Sequence, residues 1–200
     1  MLSMNSSVII QVDRPRIKEH WAAKFQKDCP EEIFLNAQTF KETVENKWNQ
    51  KQEIVIHKVE EMVGIDVAGT FNVFILPSEL EEAQYLDEKT IEWGFSESCP
   101  NSIVIGLAHE IIHCITHDFY STLSDDDKWF FHALVYLSAD EEIRFVLNGK
   151  SEYFDSLVLH TYHPRLIETA RNLLPYWKEY IANRNCRTII DLFRELKSKS

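Results

Sequence analysis

The chain has 200 residues, a formal net charge of −11, 44% hydrophobic and 26% charged residues, and only 5 glycines and 6 prolines. That length fits one domain able to bury a hydrophobic core, so a single domain over residues 1–200 is expected, and the balance excludes a disordered or fibrous chain. The acidic charge argues against a nucleic-acid partner, because such affinity depends on clustered Lys and Arg, and basic clustering here is weak, as around Lys197 and Lys199 at the C-terminus.

No run of about eighteen apolar residues exists to span a membrane, and no basic residue precedes Arg14, so a secretory signal is not expected. The expectation is an intracellular, cytoplasmic protein. Cys29, Cys99, Cys114 and Cys186 form no Cys-x-x-Cys pair, which points to reduced thiols rather than a zinc ribbon or a redox site.

In chain order, Ser7 to Val12 is a β-rich run closed by Asp13-Arg14-Pro15, and Arg16 to Lys27 reads as a short helix ending before Pro30. Ala37 to about Met62 has helical rhythm, with Gly64 where a C-cap belongs. Phe71 to Leu76 reads as a buried strand. Ser78 with Glu81 matches a capping box and predicts a short acidic helix to about Asp87, followed by a strand over Ile91 to Phe95. Asn101 to Phe119 is the next predicted helix. Another begins near Ser124, with three aspartates at its positive end, and runs to Asn148-Gly149. The remainder reads as helical, with Pro164 at a start and Pro175 disturbing or splitting the middle.

The chemistry centres on His109-Glu110-Ile111-Ile112-His113. Residues four apart on a helix lie nearly above one another, so both imidazoles can reach one zinc ion. Glu110 is rotated about 100° away and can serve as general base toward a water on the metal. The flanking sequence is apolar, where two His and a Glu would be costly to bury without a partner. Cys114 points about 100° from His113 and reads as core.

Two histidines leave one protein ligand missing. His117 lies two turns from His109, too far along the axis to share the ion. In Asp140-Glu141-Glu142, helical projection aligns Glu141 with Phe130, Leu134, Leu137 and Phe145, puts Glu142 near the edge of that face and turns Asp140 to a polar side. Glu141 is therefore the preferred third ligand with Glu142 close behind, against the bland alternative of a solvated acidic face. His20, His57 and His132 have no accompanying ligand pattern and read as surface or satisfied core residues. Trp129, Phe130 and Phe131 read as packing.

With these residues in place, the chain resembles the zincin metallopeptidases, in the gluzincin arrangement where a downstream helix supplies a glutamate. The metzincin pattern is excluded by Thr116 and Phe119. Phe145 stands where the thermolysin-like variant has an Asp, so His109 must be oriented from elsewhere. Glu141-x-x-Arg144-Phe145 is somewhat similar to the small intracellular peptidases that cleave bacterial repressors, although Ile112 replaces their usual Gly.

The resemblance implies a zinc-dependent peptidase acting on a peptide or protein, with an edge strand before the metal helix that pairs with the substrate. Ile91 to Phe95 is the segment available for that role, its alternative being a buried structural strand. His160 and His163, flanking Tyr162, are candidate oxyanion donors or a plain loop before Pro164. The expected fold is α+β and mainly helical, with a small sheet in the N-terminal half packed on the metal helix and a helical C-terminal half. Its site is His109, His113 and Glu141 on Zn2+, with Glu110 catalytic. The rivals are a non-catalytic regulatory protein retaining the metal helix, and a helical module with a chance motif.

Overall fold

The computed structural model describes residues 6–81, 83–95, 101–149, 152–154 and 163–199. It is α+β and mainly helical, as the sequence leads one to expect. The first half runs β1 (Ser7–Gln11), α1 (Arg14–Phe25), α2 (Glu31–Val63), β2 (Thr70–Ile75), a 3-10 turn at Ser78–Leu80, β3 (Ala83–Tyr85) and β4 (Thr90–Trp93). The second half is helical: α3 (Ser102–Ile115), α4 (His117–Ser121), α5 (Asp125–Tyr136), a π turn at Leu137–Ile143, α6 (Arg144–Asn148), α7 (Pro164–Ala182) and α8 (Ile189–Ser198). No helix among the described residues is long and apolar enough to cross a membrane.

The sheet has the order β1-β2-β4-β3, with β1, β2 and β4 parallel and β3 antiparallel at one edge. Alternation along the strands sorts its two faces. Phe71, Val73, Ile75, Ile91 and Trp93 are buried, and Trp93 meets α3. On the other face Arg16 of α1 lies over the Phe74 ring and pairs with the buried Glu92, which also takes bonds from His20 and from Gln84 Nε2 at 2.8 Å. The Gln84 bond tethers β3 to β4 outside the backbone ladder.

Local chemistry explains most boundaries. Asp13 caps α1 by accepting from Arg16 N, and Gly64 ends α2 with φ 73, its N–H bonding Glu60 O. α2 starts six residues earlier than the hydrophobic rhythm implies, since Pro30 is its N-cap and the acidic pair Glu31 and Glu32 suits the positive end. Ser124 caps α5, as expected. Pro175 lies inside α7 without ending it.

One expectation is corrected. The Ser78/Glu81 pattern does not open a helix to Asp87: the chain makes one 3-10 turn, Glu81 adopts a left-handed φ of 51, and β3 follows. Of the two readings of Ile91 to Phe95, the structure has the buried structural strand: β4, which carries Ile91, is interior, and β3 is the edge strand.

α3 can approach the sheet only because residue 106 is glycine. A Cβ there would lie 2.1 Å from the Trp93 ring, well inside contact distance. Gly106→Ala is therefore expected to destabilise the chain by about 1–3 kcal/mol, as overpacking does. Urea denaturation of the pair measures it, with Trp93→Leu expected to relieve the clash.

Candidate metal centre

α3 is buried along almost its whole length, so its polar residues must find partners within the protein. His109 and His113 are only 5% and 4% exposed, and Glu110 is 9% exposed. The two imidazoles meet a third from α5: ring nitrogens of His109, His113 and His132 all lie within 4.8 Å of one another. His109 Nε2 is 2.9 Å from His132 Nε2, and the ring centroids of His113 and His132 are 4.9 Å apart.

His132 thus stands where Glu141 was expected. The reason is the π turn, which takes more residues per turn than an α-helix and so breaks the projection used to align Glu141. Ser138 Oγ donates to Leu134 O at 2.8 Å, competing with the amide that would close an α turn there, and Arg144 Nε donates to the Asp140 carbonyl at 3.0 Å.

Glu141 is turned away from the histidines. It is fully buried, accepting from Tyr136 Oη at 2.7 Å, Arg144 Nη2 at 2.6 Å and Phe154 N at 3.0 Å. Glu142 accepts from Tyr153 Oη and Trp177 Nε1, outside the cluster as well.

The residue brought in by the same turn is Asp140, whose Oδ2 lies 2.6 Å from His109 Nδ1. A straight α-helix would place Asp140 roughly 80° round from His132, whereas here both reach His109. A carboxylate on one imidazole nitrogen fixes the tautomer and presents the other nitrogen to a metal. This is the orientation of His109 that the sequence required but could not place.

Electrostatics suit a cation. Burial drives His113 well below the usual histidine range, with His132 and His109 adding to the shift. Burial, then His109, pushes His132 down to about 3. Both are therefore neutral at pH 7, the form in which an imidazole can take a metal. Burial also disfavours charge on His109, but the charge and hydrogen bond of Asp140 outweigh it and raise that group. Glu110 is raised by burial, against His109 and the Tyr85 N–H.

The donor set fits a metal. Nitrogens about 2.0–2.1 Å from a tetrahedral zinc are about 3.3 Å apart, between the 2.9 Å and the 4.8 Å limit found here. His113 Nδ1 is buried and has no hydrogen-bond partner among the described residues.

Around the cluster, the Tyr85 ring stacks on His113 at 5.0 Å and 8°, and Tyr120 meets His113 edge-on at 5.1 Å. Tyr85 N donates to Glu110 Oε2 at 2.9 Å. Trp129 lies beside His132 and His163.

The other residues singled out in the sequence fall elsewhere. His117 begins α4 beyond a break at Thr116 and is not among the three converging histidines. Cys114 is core, its thiol pushed up by burial. His20 pairs with Glu92, and His57 is exposed. His163 caps α7 by accepting from Arg165 N, while His160 and Tyr162 lie outside the described residues. A cleft of about 530 Å³ lined by Arg16, Glu19, His20, Gln84, Leu86 and Glu92 lies on the Glu92 side of the sheet and contains none of the three histidines.

Neither family models, curated proteins nor solved structures give a match to this chain. The functional reading therefore rests on the site's own chemistry.

Asp140→Asn is expected to keep the fold and weaken metal binding by about 10–100-fold, the usual effect of removing an outer carboxylate from a ligating histidine. Competition with a chromophoric chelator measures it. Unchanged affinity would remove Asp140 from the centre.

Proposed function

We propose that this protein is a zinc-dependent hydrolase of peptide bonds, with His109, His113 and His132 as metal ligands and Glu110 as general base. The observation that carries the reading is the convergence of three imidazoles, His109 and His113 buried and His132 half-buried, two of them held neutral, with a carboxylate from the same helix as the buried pair beside them. Three protein nitrogens leave the fourth position of a tetrahedral ion open, as catalytic zinc requires.

Bound there, zinc would polarise the scissile carbonyl and acidify water. The chain's own residues do the rest. Asp140 holds a proton on His109 Nδ1, leaving Nε2 for the ion. Glu110 takes a proton from the attacking water as the new C–O bond forms, and delivers it to the amine nitrogen as the C–N bond breaks. β3, rather than β4, is the edge beside the site and the strand with which an extended substrate would pair.

A structural metal site is the second reading, favoured by the near-complete burial of His109 and His113. Against it, a structural zinc has no use for a carboxylate next to its ligands that is not itself one of them. Incubating the zinc-loaded full chain with an unfolded protein substrate separates the two. Cleavage that stops on chelation and returns with zinc supports the hydrolase; stoichiometric zinc with no cleavage of any peptide supports the structural site.

A further inference from the structure

We propose that the outer edge of β3 is a latch on the general base: the Tyr85 N–H holds Glu110 in the resting protein and is handed to the backbone of an incoming extended peptide, which frees the carboxylate. The purpose of the latch rests on the hydrolase reading, whereas its existence does not.

The ladder register makes the Tyr85 amide available. In an antiparallel pair, successive residues alternate between bonding their partner strand and pointing away from it. Leu86 N bonds Thr90 O at 2.7 Å, so Tyr85, opposite Ile91, directs its N–H away from β4. Among the described residues no strand pairs with β3 on that side. The group that meets the amide is Glu110 Oε2, at 2.9 Å.

This contact joins two parts that a strand-binding hydrolase must use separately. A substrate strand added to β3 needs the outward N–H of Tyr85 for one of its carbonyls. Glu110 must leave that N–H before it can turn to water. With Glu110 nearly buried, the two uses exclude each other, so strand addition and release of the base become one event. Exchanging one acceptor for another at the same amide costs little net hydrogen bonding, which makes the latch reversible. The Tyr85 ring, stacked on His113, keeps the amide in register with the metal helix.

The test is amide hydrogen exchange and peptide titration by NMR on the full, metal-free chain, using an acetylated and amidated hexapeptide of alternating Thr and Val. In the wild type the Tyr85 amide is protected. In Glu110→Ala it exchanges freely, and the hexapeptide binds roughly ten-fold tighter than to the wild type because its competitor is gone. Glu110→Gln, which retains a carbonyl acceptor, stays near the wild type.

In the wild-type chain, saturating peptide shifts the Glu110 side-chain carboxyl resonance while Tyr85 stays protected, a readout that needs no variant to fold. Tyr85 exchange indifferent to Glu110→Ala, peptide affinity unchanged or absent in that variant, or a fixed Glu110 resonance overturns the latch. Loss of the hydrolase reading alone would instead show as an intact latch in a chain that cleaves nothing.

Discussion

Glu110→Gln is expected to lower turnover of a peptide substrate by about 10²–10⁴-fold, the usual contribution of a positioned general base, while zinc content stays at the wild-type level. The separation follows from geometry. Glu110 shares α3 with His109 and His113 but is not one of the converging ligands, and its carboxylate is held by the Tyr85 amide. Glutamine preserves size and an acceptor for that amide, so folding is spared, yet it cannot take a proton from water. Measuring kcat and bound metal on the same preparation checks both halves. Full activity in Glu110→Gln would remove the assigned base, and loss of zinc would make Glu110 part of the metal's own shell.

Glu141→Ala is expected to cost about 3–5 kcal/mol of stability without removing a metal ligand. The side chain is fully buried and opposes Arg144, itself 5% exposed, at 2.6 Å. Truncating one partner of a buried ion pair strands the other charge, and that is the larger part of the penalty. Here Tyr136 Oη and the Phe154 N–H also lose their acceptor. Glu141→Gln keeps the latter two bonds and should fall between the wild type and alanine. Urea midpoints of the three chains measure the series. A folded Glu141→Ala chain that has lost its zinc would return Glu141 to the ligand set.

The contrast between these residues shows what was legible in the sequence. His109, Glu110 and His113 can be read directly because helical periodicity alone fixes their relation. His132 cannot, since it comes from another helix and only the packing of α5 against α3 makes it a neighbour. A weak signal does exist: the large apolar residues Val135 and Tyr136, three and four positions on, share the helix face of His132, and in the fold both are fully buried.

Asp140 reaches the histidines and Glu141 does not, because a π turn lies between His132 and α6 and 3.6-residue arithmetic fails across it. In the sheet, β1 and β2 announce themselves by their apolar runs. β3, with Ala83, Gln84 and Tyr85, is too short and mixed to do so, and the capping pattern at Ser78 points the wrong way. The edge strand and the third ligand thus both depend on tertiary placement, and neither has a local signature.

The most direct measurement is elemental analysis of the purified full chain beside His132→Ala and Glu141→Ala, each dialysed against zinc and then against metal-free buffer. About one zinc per wild-type chain is expected, as for a mononuclear site. It should be retained in folded Glu141→Ala and lost in His132→Ala. A wild-type chain that holds no zinc, or a His132→Ala chain that holds as much as the wild type, would contradict a three-histidine centre.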